Sequence, residues 1–462
     1  MCGIIGIASK EEEVAHDLYC GLYGLQHRGK ESAGIVTFDG KKYYSRLGKG
    51  EIALVFRNGG ALNGLKGKTG IGHNRYGTAG KNNSANIQPI RGLWKGREFW
   101  IAHNGNLVNA EKLRRECIRK GFQFQNTSDT GVIAALISLS SASSFEKAVK
   151  EVLSKLRGAY SLLVLFGSKI IAAKDPLGIR PLCLGKGNRF FVLASETCAL
   201  GHLGADFIKE LSPGEILVID KSGAREIKKP KINKRKFCIF EFIYFLRPDS
   251  VMFGRRVKNV QKNMGKYLAR ECPAKQADIA VYIPDSGKYG GLGFIEESGL
   301  KNGEEAILRT HLVSRTFIEP IQRLRNRGVE LKFVVISEEV KGKKIVIIDD
   351  SIVRGTTQKR LINLFKKAGA KEVHSRIFSP PYYYPCYYGI DTYRVKKELI
   401  ARTKKRNTKE IAKELGAKSV CYLSLNSLIK AVIETPGEPL KKEDFCTACF
   451  SGKYPVPPET RK

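Results

Sequence analysis

The chain has 462 residues, enough for two or three domains, and a hydrophobic content of 42% suffices for full cores. Its formal charge of +35 is read chiefly as a solvated lysine-rich surface, because Lys and Arg recur along most of the chain; a nucleic-acid partner is the disfavoured alternative. No apolar run reaches the ~18 residues that span a bilayer, and the start lacks a basic n-region, so neither a membrane span nor a secretory signal is expected. A cytoplasmic location follows as the expectation, and there 11 cysteines are read as buried, catalytic or metal-bound rather than as a disulfide framework.

Residues 1–227 read as a strand-rich block with a few helices. Short apolar runs at 160–166, 170–173 and 190–194 end at Gly, Pro or Asp turns, and 131–139 reads as a buried helix. The stretch 228–236 (KKPKINKRK) is charged and aperiodic and reads as a linker. From 237 to 462 the pattern changes. Apolar β-branched runs at 279–283, 331–336 and 345–348 alternate with helical patterns such as 361–368, which implies a parallel sheet flanked by helices.

Cys2 follows the initiator Met1 directly. Once Met1 is removed, a free α-amino group with a pKa of about 8 stands beside the thiol and can take its proton, so no histidine partner is required. Alone, Met-Cys-Gly is a weak signal. Further along, GHNRYGT sets Arg75 in a glycine-bounded turn, where a guanidinium can grip an α-carboxylate with two hydrogen bonds. HNGN offers the Asn104 amide and the Gly105 N–H as oxyanion donors. Ser128-Asp129-Thr130 precedes a helix; Asp129 is either a carboxylate for an α-ammonium or only a helix cap.

Together with CGIIGI, LQHRGKESAGI, IAHNGNL and KDPLGIRPL, these segments resemble the class II glutamine amidotransferases over most of residues 2–200. The resemblance implies an N-terminal-nucleophile α/β-β-α sandwich with glutamine as substrate. It makes Cys2 the nucleophile, Asn104 and Gly105 the oxyanion hole, and Arg75 and Asp129 the grip on the amino-acid end of glutamine. His27, His73 and His103 lie inside these motifs and are read as structural.

The run 345–348 ends in DDSIVRGTT before a helix. Two carboxylates at a strand's carboxyl end can bind vicinal ribose hydroxyls, and the following loop can present N–H groups, hydroxyls and a helix N-terminus to a phosphate. The segment resembles the phosphoribosyl pyrophosphate motif of type I phosphoribosyltransferases. With FEFIYFLRPDS, IPDSG, SRTFIEP and SPPYYYPCYYGID, resemblance extends along nearly the whole chain to the glutamine phosphoribosylpyrophosphate amidotransferase family. It implies an α/β and α+β chain with a glutaminase domain at 2–227, the linker at 228–236, and a phosphoribosyltransferase domain at 237–462 ending in a helical, cluster-binding segment. It places phosphoribosyl pyrophosphate on Asp349, Asp350, Ser351, Arg354, Gly355, Thr356 and Thr357, with Mg²⁺ near Ser286, Asp349 and Asp350. The implied product is 5-phosphoribosylamine, at the first step of purine synthesis, with purine nucleotides as feedback inhibitors and a homotetramer as the assembly.

Cys446-x-x-Cys449 alone fits a zinc knuckle, a redox pair or a coincidence, and spacing does not group it with Cys238 and Cys386. The resemblance to the iron–sulfur branch of the family groups all four as ligands of a structural [4Fe–4S] cluster. Cys20, Cys117, Cys183, Cys198, Cys272 and Cys421 are read as small core residues. The chain departs from the family at 308–314 (LRTHLVS), where Arg309, His311 and Leu312 replace a Lys, an Arg and a Tyr. It departs again at Ser337-Glu338-Glu339. These departures leave open a glutaminase with another phosphosugar acceptor. A basic nucleic-acid-binding or regulatory protein with a vestigial site is the remaining alternative.

Overall fold

The computed structural model describes residues 1–57, 60–77, 84–228, 234–310, 332–390, 392–393 and 395–459. Two antiparallel sheets come from residues 3–228. The first runs in the order Asp206–Glu210, Cys183–Lys186, Phe190–Ala194, Gly3–Ser9, Thr69–Arg75, Ser32–Phe38, Tyr43–Lys49. The second runs Gly223–Lys228, Ile216–Asp220, Lys169–Lys174, Gly158–Phe166, Arg97–Leu107, Ile90–Trp94.

Side chains alternate across a strand, and here both faces are covered. Ile4 and Ala8 turn inward to meet Trp100, Leu163 and Leu165 between the sheets. Ile5 and Ile7 turn outward onto Leu18 and Leu22 of the helix Ala15–Gly24. In Gly158–Phe166, Leu162 and Val164 pack against Val132, Ile133 and Val149 of the helices Asp129–Ser138 and Phe145–Lys155. The layers are therefore helix, sheet, sheet, helix, which is the expected sandwich. Burial on both faces explains why the strands read as apolar runs rather than as alternations. Each such fully buried Leu or Ile contributes ~1.5–3 kcal/mol.

The second half holds a five-stranded parallel sheet in the order Lys301–Asn302, Ile279–Tyr282, Lys344–Asp349, Glu372–Ile377, Ser419–Tyr422. Val346 and Ile348 face Val260, Met264 and Phe294 of the helices Val257–Glu271 and Lys288–Ser298. Ile345 and Ile347 face Leu361 and Phe365 of the helix Thr356–Lys367. Among the described residues no helix is long and apolar enough to cross a membrane.

Two expectations need correction. The run at 331–336 is not a strand of the parallel sheet: Phe333–Val335 pairs antiparallel with Ile307–Arg309 in a separate ribbon. Val334 and Leu308 are exposed there, so an apolar run alone misplaced the strand. Cys272 and Cys421 are not free core residues. They form a disulfide where the end of the helix Val257–Glu271 meets the strand Ser419–Tyr422, across 149 residues of sequence. Cys20 is free but exposed.

Candidate active sites

Cys2 immediately precedes the strand Gly3–Ser9, whose neighbour Thr69–Arg75 pairs Asn74 with Gly3 and so brings Arg75 to the same end. The Cys2 thiol is buried and lies 3.8 Å from the Tyr76 carbonyl, to which it donates. Burial raises its pKa; Arg75 opposes that shift and Asp129 adds to it, so both bear on the thiol. Arg75 is itself buried, with Glu31 4.0 Å away.

Asn104 and Gly105 sit late in the strand Arg97–Leu107, opposite Ser161 and Tyr160. Asn104 is fully buried, and neither its amide nitrogen nor its oxygen has a protein partner. A buried amide left unsatisfied is costly, so it suits a site that a ligand completes. Gly105 must be glycine, because a Cβ there would lie 2.0 Å from the Ala159 carbonyl oxygen.

Asp129 is not the helix cap. Ser128 is, its Oγ accepting from Gly131 N at 3.2 Å. The Asp129 carboxylate instead accepts from Leu107 N at 3.0 Å, bracing the strand that carries Asn104 and Gly105. The three motif histidines are held in the frame. Burial drives His73 down to about 3, with its Nε2 on the His103 carbonyl. His103 is also lowered by burial and meets Thr130 Oγ1 at 3.1 Å. His27 pairs with Glu196 at 2.8 Å.

The phosphoribosyl segment lies where the strand Lys344–Asp349 gives way to the helix Thr356–Lys367. Asp349–Ser351, Arg354–Thr357 and Ser286 all line one cavity of about 420 Å³. Gly355 adopts φ 83° at the helix start, and a Cβ there would meet Ile400 at 2.8 Å, so only glycine closes this turn. The helix start, with Thr356 and Thr357, thus lines the cavity, an arrangement suited to phosphate. Ser286 Oγ donates to Asp349 at 3.2 Å. Both carboxylates are buried. Burial, then the neighbouring Asp350, pushes Asp349 well up, and burial also raises Asp350. Two such carboxylates side by side fit a divalent cation, which would relieve both effects. Tyr76 also lines this cavity, so one residue reaches both the thiol, through its carbonyl, and the cradle.

Of the altered segments, His311 and Leu312 lie outside the described residues. Arg309 ends its strand in an ion pair with Asp285, next to Ser286. Ser337, Glu338 and Glu339 form the short helix Ser337–Val340.

The four grouped cysteines converge. Cys238 and Cys446 pair in register in a short parallel ribbon. The Cys449 carbonyl accepts from Tyr383 N and Tyr384 N at 3.0 and 2.9 Å, which seats the loop carrying Cys386. All four are buried, and Cys386 acts electrostatically on Cys238, Cys446 and Cys449. Buried thiols brought together from three separate segments suit a metal or an iron–sulfur core.

Comparison with known proteins decides the family. A glutamine amidotransferase domain family matches residues 73–202. The amidophosphoribosyltransferase of Bacillus subtilis is 42% identical, spanning 98% of this chain and 94% of its own length. That of Methanocaldococcus jannaschii is 44% identical over 99% of this chain and 98% of its own. The chain belongs to the amidophosphoribosyltransferase family. The solved structure of the Bacillus subtilis glutamine phosphoribosylpyrophosphate amidotransferase, complexed with ADP and GMP, superposes with a TM-score of 0.89 at 41% identity, covering 99% of this chain and 98% of that one. As a member of the amidophosphoribosyltransferases the chain is an enzyme. Sequence reasoning nonetheless missed a group next to the site. Arg28, Arg180 and Glu241 sit inside quoted motifs without a role assigned, yet they form a buried ionic group beside Cys2. A charged Glu241 within the apolar run FCIFEFIYF was the available signal.

Proposed function

We propose that this chain releases ammonia from glutamine at Cys2 and transfers it to phosphoribosyl pyrophosphate, giving 5-phosphoribosylamine, glutamate and pyrophosphate in a cytoplasmic purine pathway. The observation that carries the reading is the adjacency of the two sites through Tyr76, which lines the phosphate cavity while its carbonyl lies 3.8 Å from the Cys2 sulfur. Residues 2–227 act as the glutaminase and 237–462 as the phosphoribosyltransferase, with 228–236 between them.

In the first half-reaction the Cys2 sulfur attacks the side-chain amide carbon of glutamine. A buried thiol with a raised pKa needs a base. After loss of Met1 that base is the α-amine of Cys2, which stands beside the buried thiol. Asn104 Nδ2 and Gly105 N–H receive the developing oxyanion, Arg75 and Asp129 hold the carboxylate and ammonium of glutamine, and the thiol's proton leaves with ammonia. Water then hydrolyses the thioester to glutamate.

In the second half-reaction ammonia attacks the anomeric carbon and pyrophosphate departs. The loop 351–357 holds the 5-phosphate, and Asp349 and Asp350 orient the ribose hydroxyls. Mg²⁺ held by Asp349, Asp350 and Ser286 would supply positive charge for the leaving pyrophosphate. A [4Fe–4S] cluster on Cys238, Cys386, Cys446 and Cys449 would tie the 382–388 loop to the chain's end. Arg309 keeps a cation at the altered segment, which favours the same acceptor. Supplying glutamine and phosphoribosyl pyrophosphate anaerobically tests the reading: glutamate and pyrophosphate are expected in equal amounts. Glutamate without pyrophosphate would rule out this acceptor.

A further inference from the structure

Beside Cys2 lies a block of buried charge to which neither half-reaction as proposed assigns a role. The side chains of Arg28, Arg180, Glu196 and Glu241 are all fully buried. Arg28, Arg180 and Glu196 come from the first half; Glu241 comes from the turn Glu241–Phe245 of the second. Arg28 Nη2 donates to both Glu241 oxygens at 3.1 Å, and Arg180 Nη1 donates to Glu241 Oε1 at 3.1 Å. Arg28 Nη1 pairs with Glu196.

Each arginine keeps further nitrogens for a backbone carbonyl. Arg28 Nε donates to the Cys2 carbonyl at 2.9 Å. Arg180 Nε and Nη2 donate to the Tyr388 carbonyl at 2.8 and 2.6 Å. The Tyr388 loop is pressed on the oxyanion strand: Asn106 Nδ2 donates to the Tyr387 carbonyl at 2.8 Å, and a Cβ on Gly389 would lie 3.4 Å from the Gly105 carbonyl. The plain alternative is an ionic staple between the halves. A staple needs the ion pairs, which add little net stability when buried. It has no need of one contact on the nucleophile's own carbonyl and another on the loop behind Gly105.

We propose that Glu241 is a positioning residue for the glutamine half-reaction: by fixing Arg28 and Arg180 it aligns the Cys2 backbone with the oxyanion glycine from the far half of the chain. This rests on Cys2 being the glutaminase nucleophile. A misplacement on the order of 1 Å at such a site costs ~10²-fold in rate.

The test uses the full chain with Glu241→Gln, which removes the charge, and Arg28→Lys, which keeps a charge for Glu241 but lacks the Nε donor to Cys2. Three quantities are read: the rate of Cys2 alkylation by a diazoketone analogue of glutamine, kcat and KM for glutamine, and ammonia-driven pyrophosphate release. Both variants are expected to lose ~10-fold or more in alkylation and in glutamine kcat, with KM and the ammonia route within about 3-fold of wild type. A common fall of all three with a lowered melting temperature, or alkylation at the wild-type rate, overturns the proposal. If Glu241→Gln does not fold, Arg28→Lys decides by the same criteria. A wild type that consumes no glutamine, yet is alkylated faster than its variants, breaks the functional reading and leaves the positioning role standing.

Discussion

Around Cys2 the polar groups are already in place. Asn104 waits with both amide atoms buried and unpartnered, and Asp129, at a helix start, braces the strand end that carries Gly105. Around Asp349 and Asp350 burial raises both carboxylates, Asp350 pushes Asp349 further up, and the cavity in front of them is about 420 Å³. On the proposed reading, the first region is completed by a neutral amide group of the substrate, the second by charge that the substrate and its cation bring. Rigid alignment should therefore dominate the first half-reaction and electrostatic compensation the second.

The comparison breaks most openly at the nucleophile. Cys2→Ala is expected to lower glutamine-dependent turnover by at least about 10³-fold while ammonia-driven turnover stays near wild type. Equal loss by both routes, measured as pyrophosphate release, would show that the regions are not separable. Asn104→Ala sharpens the alignment argument. Loss of one oxyanion donor should cost ~10²–10³-fold in glutaminase kcat with little change in KM; a change confined to KM would reassign Asn104 to ground-state binding. On the other side, Asp350→Asn should reduce both glutamine- and ammonia-driven pyrophosphate release by ~10²-fold, leaving alkylation of Cys2 unchanged. An alkylation rate that fell as well would place Asp350 within the first region's frame.

The two regions also differed in how far they could be read from sequence. Local segments carried the legible parts: HNGN and DDSIVRGTT each hold several candidate ligand groups on adjacent residues, so folding keeps those groups together. Strands such as 160–166 were legible as apolar runs because both of their faces are covered, while the sandwich they build followed only from the resemblance to class II glutamine amidotransferases. What remained hidden depends on residues far apart in sequence. Nothing local says that Glu241 will meet Arg28 across 213 residues, or that Cys272 will meet Cys421 across 149. The exposed ribbon at Phe333–Val335 failed for the opposite reason, since an apolar run there is not a buried strand.

The disulfide offers a milder test within the second region. Its loop of 149 residues encloses the phosphate cradle. Closing so long a loop stabilises by about 4–5 kcal/mol in the chain-entropy picture. For a chain of this size, Cys421→Ser should lower Tm by roughly 4 °C without changing kcat. Reductant should lower wild-type Tm by the same amount and leave the variant's alone. Identical Tm values in the presence and absence of reductant would mean that the bond does not form.

The smallest effect concerns the seam between the regions. Glu210 ends the edge strand of the first sheet, and its carboxylate accepts from Phe253 N at 2.5 Å. Its other oxygen is buried without a partner, and burial of this tip raises the pKa to about 7 from an ordinary 4.5, against the pull of nearby Lys174. Between those two values the folded chain keeps a proton that the unfolded chain has released. The stabilisation is therefore complete below pH 4.5 and is lost as pH rises through 7. Glu210→Gln cannot ionise, so it lacks this slope. The stability gap between wild type and variant should shift against wild type by up to about 3 kcal/mol between pH 5 and pH 8, read from urea midpoints at fixed ionic strength. A gap that stays constant with pH would mean that the carboxylate is charged in the folded chain, held by Lys174, and that the seam is an ion pair rather than a buried neutral hydrogen bond.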